Sequence, residues 1–243
     1  MRSIMSSPLT LHTRSTAAPN TFETFWTTGR KQGVITTTIS DKYRQDVPVI
    51  AELSVLHYLL SHKEILGSGR AGNGMDIAVT FGAIRKLAKL ASDKKHLGEH
   101  ARFLAARYAD ATISVSKDNS WVDLTRADSK REDLLIEEPL PEVVRVSGIG
   151  KVALSFHIIE RMMARANYAS VGAAWRHLCD MLGSSNVSEV RLPPGMAEHK
   201  ARKHGSVGKH LRVGNEPWRF VIGYGNHSHQ TGMPMLVTAY VRV

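Results

Sequence analysis

Two groups of residues carry recognisable chemistry. His157, Arg161 and Arg165 follow one another at intervals of four, so any helix through them presents all three on one face. The segment 198–212 then holds three histidines (His199, His204, His210) and five basic residues (Lys200, Arg202, Lys203, Lys209, Arg212) within 15 positions, the densest basic stretch of the chain. Imidazole exchanges protons near neutral pH because its unperturbed pKa is about 6.5, and guanidinium and ammonium groups hold phosphate oxygens. Trp218 and Tyr224 follow closely in sequence, and aromatic rings stack on unpaired bases. The combination predicts a nucleic-acid-binding surface made of Arg161, Arg165, Lys200, Arg202, Lys203, Lys209, His210, Arg212 and Trp218. A solvated charged face is the other reading of the helix, and a mobile phosphate-binding loop that of the basic run.

Two further patterns say less. The run Gly67-Ser68-Gly69-Arg70-Ala71-Gly72-Asn73-Gly74 offers backbone N–H groups to an anion ahead of a predicted helix. It lacks the Gly-Lys-Ser/Thr ending of a P-loop and the spacing of a dinucleotide fingerprint, which leaves a backbone contact to phosphate helped by Arg70 and Arg85, or a loose connection. His227-Ser228-His229 has no third ligand at a suggestive spacing and reads as a polar loop.

The rest of the chain sets the frame for these groups. Its 243 residues include 32 Lys and Arg against 22 Asp and Glu, for a net charge of +10 and a pI near 9.9. A hydrophobic share of 42% excludes disorder along the whole length, and a basic balance of this size attracts polyanions. No apolar run approaches the roughly 18 residues of a membrane span. The single Cys179 excludes an internal disulfide and argues for a reducing, cytoplasmic compartment. Both halves are basic, at +6 over residues 1–127 and +7 over residues 151–243. Between them, residues 128–142 gather six acids and two prolines, a composition suited to an exposed connector.

The expected organisation is therefore a flexible tail over 1–20, an α/β domain over 21–127, an acidic linker over 128–150 and a basic α+β domain over 151–243. In the first domain a hairpin is predicted from Thr21 to Trp26 and Gly33 to Ile39, with a third strand at Asp46 to Val49. A helix follows from Ile50, Leu53, Leu56, Leu59 and Leu60, spaced by three and four. Then come a strand at Glu64 to Leu66, helices over 75–91 and 97–108, and a strand at 111–116. The second domain is predicted to open with a strand end over 152–156, followed by helices over 157–167 and 171–182. Short strands at 188–192, 210–213, 218–224 and 235–243 then build an antiparallel sheet.

Three strands, a helix carrying Glu52 in Ala51-Glu52-Leu53-Ser54-Val55-Leu56, and a short strand entering a polar turn resemble the ribonuclease H fold over residues 20–123. That resemblance implies a mixed-sheet α/β domain. In active members the first strand, the first helix, the end of the fourth strand and a late element supply acids that share two divalent ions. Glu52 and Asp76 are the metal ligands it points to here, with Glu23, Asp118 and Asp123 as the remaining acids. Glu23 lacks the usual Asp-Gly-Ser setting, so Mg²⁺ is expected only if the acidic site is intact, and a degenerate scaffold is the alternative.

Ser155-Phe156-His157-Ile158-Ile159-Glu160-Arg161-Met162-Met163-Ala164-Arg165 resembles the opening helix of small bacterial domains related to the mRNA-interferase toxins. This second resemblance covers residues 152–243. It implies RNA binding and, in several members, metal-independent cleavage without a cofactor, in a bacterial or phage setting where an antitoxin-like partner is possible. Such cleavage needs a base for the 2′-hydroxyl, an acid for the leaving oxygen and a cation for the phosphate. His157, His204 and Arg219 are the residues expected to fill these roles, His157 being equally suited to capping its helix. A nuclease, or a non-catalytic regulator that binds nucleic acid or a ribonucleoprotein, are the two functions compatible with the sequence.

Overall fold

The computed structural model describes residues 9–67, 72–123, 129–154, 157–204, 207–224 and 233–241; for Lys200, Lys203 and His204 it describes the backbone alone. Arg70, the His227-Ser228-His229 pattern, Ser155, Phe156 and the side chains of Lys200, Lys203 and His204 lie outside the described part. The chain divides into two compact units, 1–140 and 141–243. Each is built on a six-stranded mixed sheet with helices, so the chain is of mixed α/β class. Among the described residues no helix is long and apolar enough to cross a membrane.

The first unit begins earlier than its composition suggests. Residues Leu9–Ser15 form β1, in which Leu9 and Leu11 are fully buried and Thr13 nearly so. A strand with one buried face needs only this alternation, and the Ser, Thr and Pro around it made the segment resemble a tail. β1 pairs antiparallel with β2 (Thr21–Thr27), which pairs antiparallel with β3 (Gln32–Ile39), the predicted hairpin. The expected strand at 46–49 is instead the start of helix α1 (Val47–His57). Pro48 suits the first helical turn, and Asp46, in a left-handed conformation, is held by Lys94 at 2.6 Å and His96 at 3.0 Å. Residues 64–66 are a turn rather than a strand.

The predicted helix over 75–91 is a strand followed by a shorter helix: β4 (Asp76–Val79) and α2 (Gly82–Ala88). Ile77 and Val79 are buried, and β4 pairs in parallel with β1 on one side and β5 (Thr112–Val115) on the other. Sheet pairing thus overrides a helical spacing of apolar residues. The Gly-rich run has a structural use at Gly72, whose φ is +88° and whose Cβ position would lie 2.9 Å from the Ala111 backbone nitrogen. Helix α3 (Gly98–Ala105) packs with α1 and β1 to β4 in one core. The other face of the sheet carries a smaller cluster of Phe25, Val34 and Val122.

The acidic connector is also a strand. Residues Lys130–Ile136 form β6, parallel to β3 in register from Gly33↔Lys130 to Ile39↔Ile136, giving the sheet order β5-β4-β1-β2-β3-β6. Its charges are matched on neighbouring elements, Glu132 by Lys63 at 2.8 Å and, across the sheet, Arg131 by Glu23 of β2 at 3.1 Å. An edge strand dressed with charges resists pairing with other chains, which explains a composition that mimics a linker.

The second unit starts at a hairpin of β7 (Glu142–Val146), inside the expected linker, and β8 (Gly150–Leu154), which extends from its end into the expected second domain. Helices α4 (His157–Arg165) and α5 (Val171–Gly183) follow as predicted. Next come β9 (Val187–Val190), a further helix α6 (Pro194–His204), β10 (Lys209–Val213), β11 (Trp218–Gly223) and β12 (Met235–Val241). The order is β7-β8-β12-β11-β10-β9, antiparallel except where β12 meets β8. Residues 198–204 of the basic run thus end a helix, and 209–212 lie on a strand that matches the expected one at 210–213.

Candidate nucleic-acid interface

Alternation along β10, β11 and β12 sorts their side chains onto two faces. Leu211, Val213, Trp218, Phe220 and Ala239 point into the core and are buried. His210 and Arg212 on β10, Arg219 and Val221 on β11, and Thr238 and Tyr240 on β12 take the opposite face. Register makes two rows across it: His210, Val221 and Thr238 in one, Arg212, Arg219 and Tyr240 in the other.

Arg212 and Arg219 are therefore direct cross-strand neighbours, a like-charge pairing that works against sheet stability. Among the described residues neither has an acidic partner. Arg219 is aimed by backbone, its Nη1 donating to the carbonyls of Glu216 and Trp218 at 2.9 Å each. Beside this pair, His210 Nδ1 and the Tyr240 hydroxyl lie 3.3 Å apart. His210 is only 3% exposed and Tyr240 is half-buried. Helix α4 closes one side. Arg161 donates to the Thr238 hydroxyl and Arg165 to the Ala239 carbonyl, while Ile158, Ile159 and Met162 bury the inner face of the helix.

Set against the sequence expectations, this surface gathers His210, Arg212, Arg219 and Arg161, with Arg165 at its edge. It does not gather His157, Lys209, Trp218 or Arg202. His157 is half-exposed and lies 3.3 Å from Glu160 on its own helix, and no bond among the described residues joins it to Arg219. Lys209 falls on the other side of β10 by alternation, 3.7 Å from Glu189 and over the Tyr224 ring. Trp218 is 3% exposed within the core and has no face left for a base. Arg202 is exposed on α6. Thr238 and Tyr240 escaped the sequence reading, although Val237-Thr238-Ala239-Tyr240-Val241 alternates polar with apolar at period two.

The acids of the first unit do not converge. Glu52 on α1 is fully buried, and its Oε1 accepts from the Thr80 backbone N–H at 2.6 Å. Thr80 Oγ1 in turn accepts from Thr13 N at 3.0 Å, and Thr13 and Thr24 share a hydrogen bond of 2.9 Å. Burial pushes the Glu52 carboxyl above its ordinary pKa. Asp76 is exposed at the opposite end of β4 from Thr80; at about 3.3 Å per residue the two ends are about 13 Å apart. Glu23 is on the other sheet face with Arg14 and Arg131, and Asp118 accepts from Ser120. No group of three His, Cys, Asp or Glu placed to hold a metal occurs among the described residues. The Glu52 and Asp76 pair does not fit a shared divalent ion.

No protein-family model matches the chain, and no curated protein or solved structure matches it.

Proposed function

We propose that the protein binds RNA through the β10–β12 face of its second unit and cleaves it without a metal ion. The observation that carries this reading is the Arg212 and Arg219 pair, unneutralised among the described residues and set beside the hydrogen-bonded His210 and Tyr240. Two guanidiniums can grip one phosphodiester and hold charge that builds on its oxygens. In this reading His210 and Tyr240 move the proton: the phenol takes it from the 2′-hydroxyl as His210 receives the phenolic proton, and returns it to the leaving 5′-oxygen. The 2′-oxygen forms the new bond to phosphorus and the P–O5′ bond breaks, leaving a 2′,3′-cyclic phosphate. Arg161 is a positioning residue, anchored on Thr238. The toxin-like resemblance of the α4 helix agrees with this role.

The first unit is read as a degenerate ribonuclease H-like domain. Its support is that Glu52 on the first helix accepts from Thr80 at the end of β4, and Thr80 in turn accepts from Thr13 on β1, so that these three elements meet at the carboxylate. A second reading, binding and regulation without cleavage, is favoured by the near-complete burial of His210. The test is incubation of matched RNA and DNA oligonucleotides with the full chain in EDTA. The proposal expects RNA to be cut and DNA to survive; binding without cutting selects the regulator.

A further inference from the structure

A second place in the chain combines cavity, aromatic wall and cations, and it lies wholly within the first unit. Where β3 and β6 begin, a cavity of about 410 Å³ is lined by Trp26, Lys31, Leu59, Lys63, Lys130 and Glu132, among others. That volume lies in the range that takes a small organic ligand. Trp26 stands opposite Gly33 in the hairpin register. A Cβ on Gly33 would fall 2.8 Å from the indole Nε1, so the missing side chain lets the ring lie across the strand and form a flat wall.

The charges at the mouth are not balanced. Glu132, the one acid of the lining, is already engaged by Lys63 at 2.8 Å and by the Tyr58 hydroxyl at 3.0 Å. Lys130 is 4.0 Å from the same carboxylate but 80% exposed, and Lys31, on the hairpin turn, has no acidic partner among the described residues. The rim therefore keeps surplus positive charge above an apolar floor and an indole.

We propose that this cavity binds a nucleoside 5′-phosphate, its base against Trp26 and its phosphate on Lys31 and Lys130. Aromatic stacking accepts any base because every base has a π-face, and lysine holds phosphate as a point charge. Lys63 is committed to Glu132 and positions the rim. The chemistry is common to a free mononucleotide and to the 5′-phosphorylated end of a strand. The site is separate from the β10–β12 face and stands or falls independently of it.

The experiment is calorimetric titration of the full chain with AMP, adenosine and inorganic phosphate. AMP is expected to bind saturably with a Kd below about 1 mM, with adenosine and phosphate each at least about tenfold weaker. The double variant Lys31→Glu and Lys130→Glu, both exposed, should lower AMP affinity about tenfold or more with an unchanged melting curve. Trp26→Leu should lower it about 5- to 100-fold, and Arg212→Ala with Arg219→Ala should leave it unchanged. Competition by a 5′-phosphorylated oligonucleotide, absent with its 5′-hydroxyl twin, identifies a strand end as the ligand; no competition identifies the free nucleotide. Absence of heat up to about 5 mM AMP, or binding indifferent to the lysine reversals, overturns the proposal.

Discussion

Arg212 and Arg219 face each other directly across β10 and β11, on the surface of the sheet that does not enter the core. Two guanidiniums in that position repel, and the strands keep them without a carboxylate between them among the described residues. An anion supplied from outside relieves the repulsion, which is why the pair anchors the functional reading.

Binding should accordingly be salt-sensitive, and sensitive at this pair. Arg212→Ala and Arg219→Ala should each flatten the plot of log affinity for single-stranded RNA against log salt by about 0.7. Lys209→Ala, on the other side of β10, should leave the slope as it is. Filter binding across a salt series reads both; an unaltered slope in the double arginine variant would remove this face from the interface.

The proton-transfer pair makes a separate prediction. Tyr240→Phe and His210→Ala should each lower an EDTA-resistant cleavage rate by about 10² to 10⁴, and their combination should cost little more than either alone, since the two act as a unit. His157→Ala should stay within about twofold of wild type, because His157 is engaged with Glu160 on an exposed helix face. A loss in His157→Ala equal to that in Tyr240→Phe would return the chemistry to α4.

His100 governs part of the acid stability of the first unit. It is 5% exposed, edge-on to Tyr43 at 5.0 Å, and burial lowers its pKa to about 4. An unfolded histidine titrates near 6.5, so between these values the unfolded chain binds a proton that the folded chain refuses. Stability is fully present above pH 6.5 and falls towards pH 4, by on the order of 3 kcal/mol from this residue. Denaturant titrations at pH 7.5 and 4.5 should show a smaller loss for His100→Gln than for wild type; equal losses would contradict the assignment.

Glu52 acts with the opposite sign. Its carboxyl is raised above 4.5 by burial, so above that pH the unfolded chain releases a proton that the folded chain still holds, and stability falls as pH rises through the raised value. Glu52→Gln should remove this fall and gain relative stability at pH 8. Glu52→Ala should lose about 1 to 3 kcal/mol by leaving the Thr80 N–H without its acceptor. Any Mg²⁺-dependent cleavage abolished by Glu52→Gln in a folded protein would make the carboxylate a metal ligand after all.

How much of this was legible in the sequence depended on whether local pattern and tertiary context agreed. Hairpin 21–39, helix α1 and the pair α4 and α5 declared themselves because turn residues and three-and-four spacing matched what the core required. β1, β4 and β6 did not. Ile77 with Phe81 and Ile84 also fits a helix, and only pairing between β1 and β5 makes Ile77 and Val79 a strand; Glu132 and Arg131 resemble a linker until Lys63 and Glu23 are placed beside them. In the second unit His210 and Arg212 of the basic run lie on the strand beside Arg219, whereas strand alternation, unused at Lys209 and Trp218, separates those two from the face. Tyr240 reaches His210 across an intervening strand, a proximity that sequence spacing alone does not reveal.

The most direct measurement is a denaturing gel of end-labelled RNA incubated in EDTA with the wild-type chain and with Arg212→Ala and Arg219→Ala combined. Cleavage to fragments ending in 2′,3′-cyclic phosphate by wild type, lost in the double variant, is the predicted result. Intact RNA with wild type, or the same fragments at the same rate from the double variant, would contradict it.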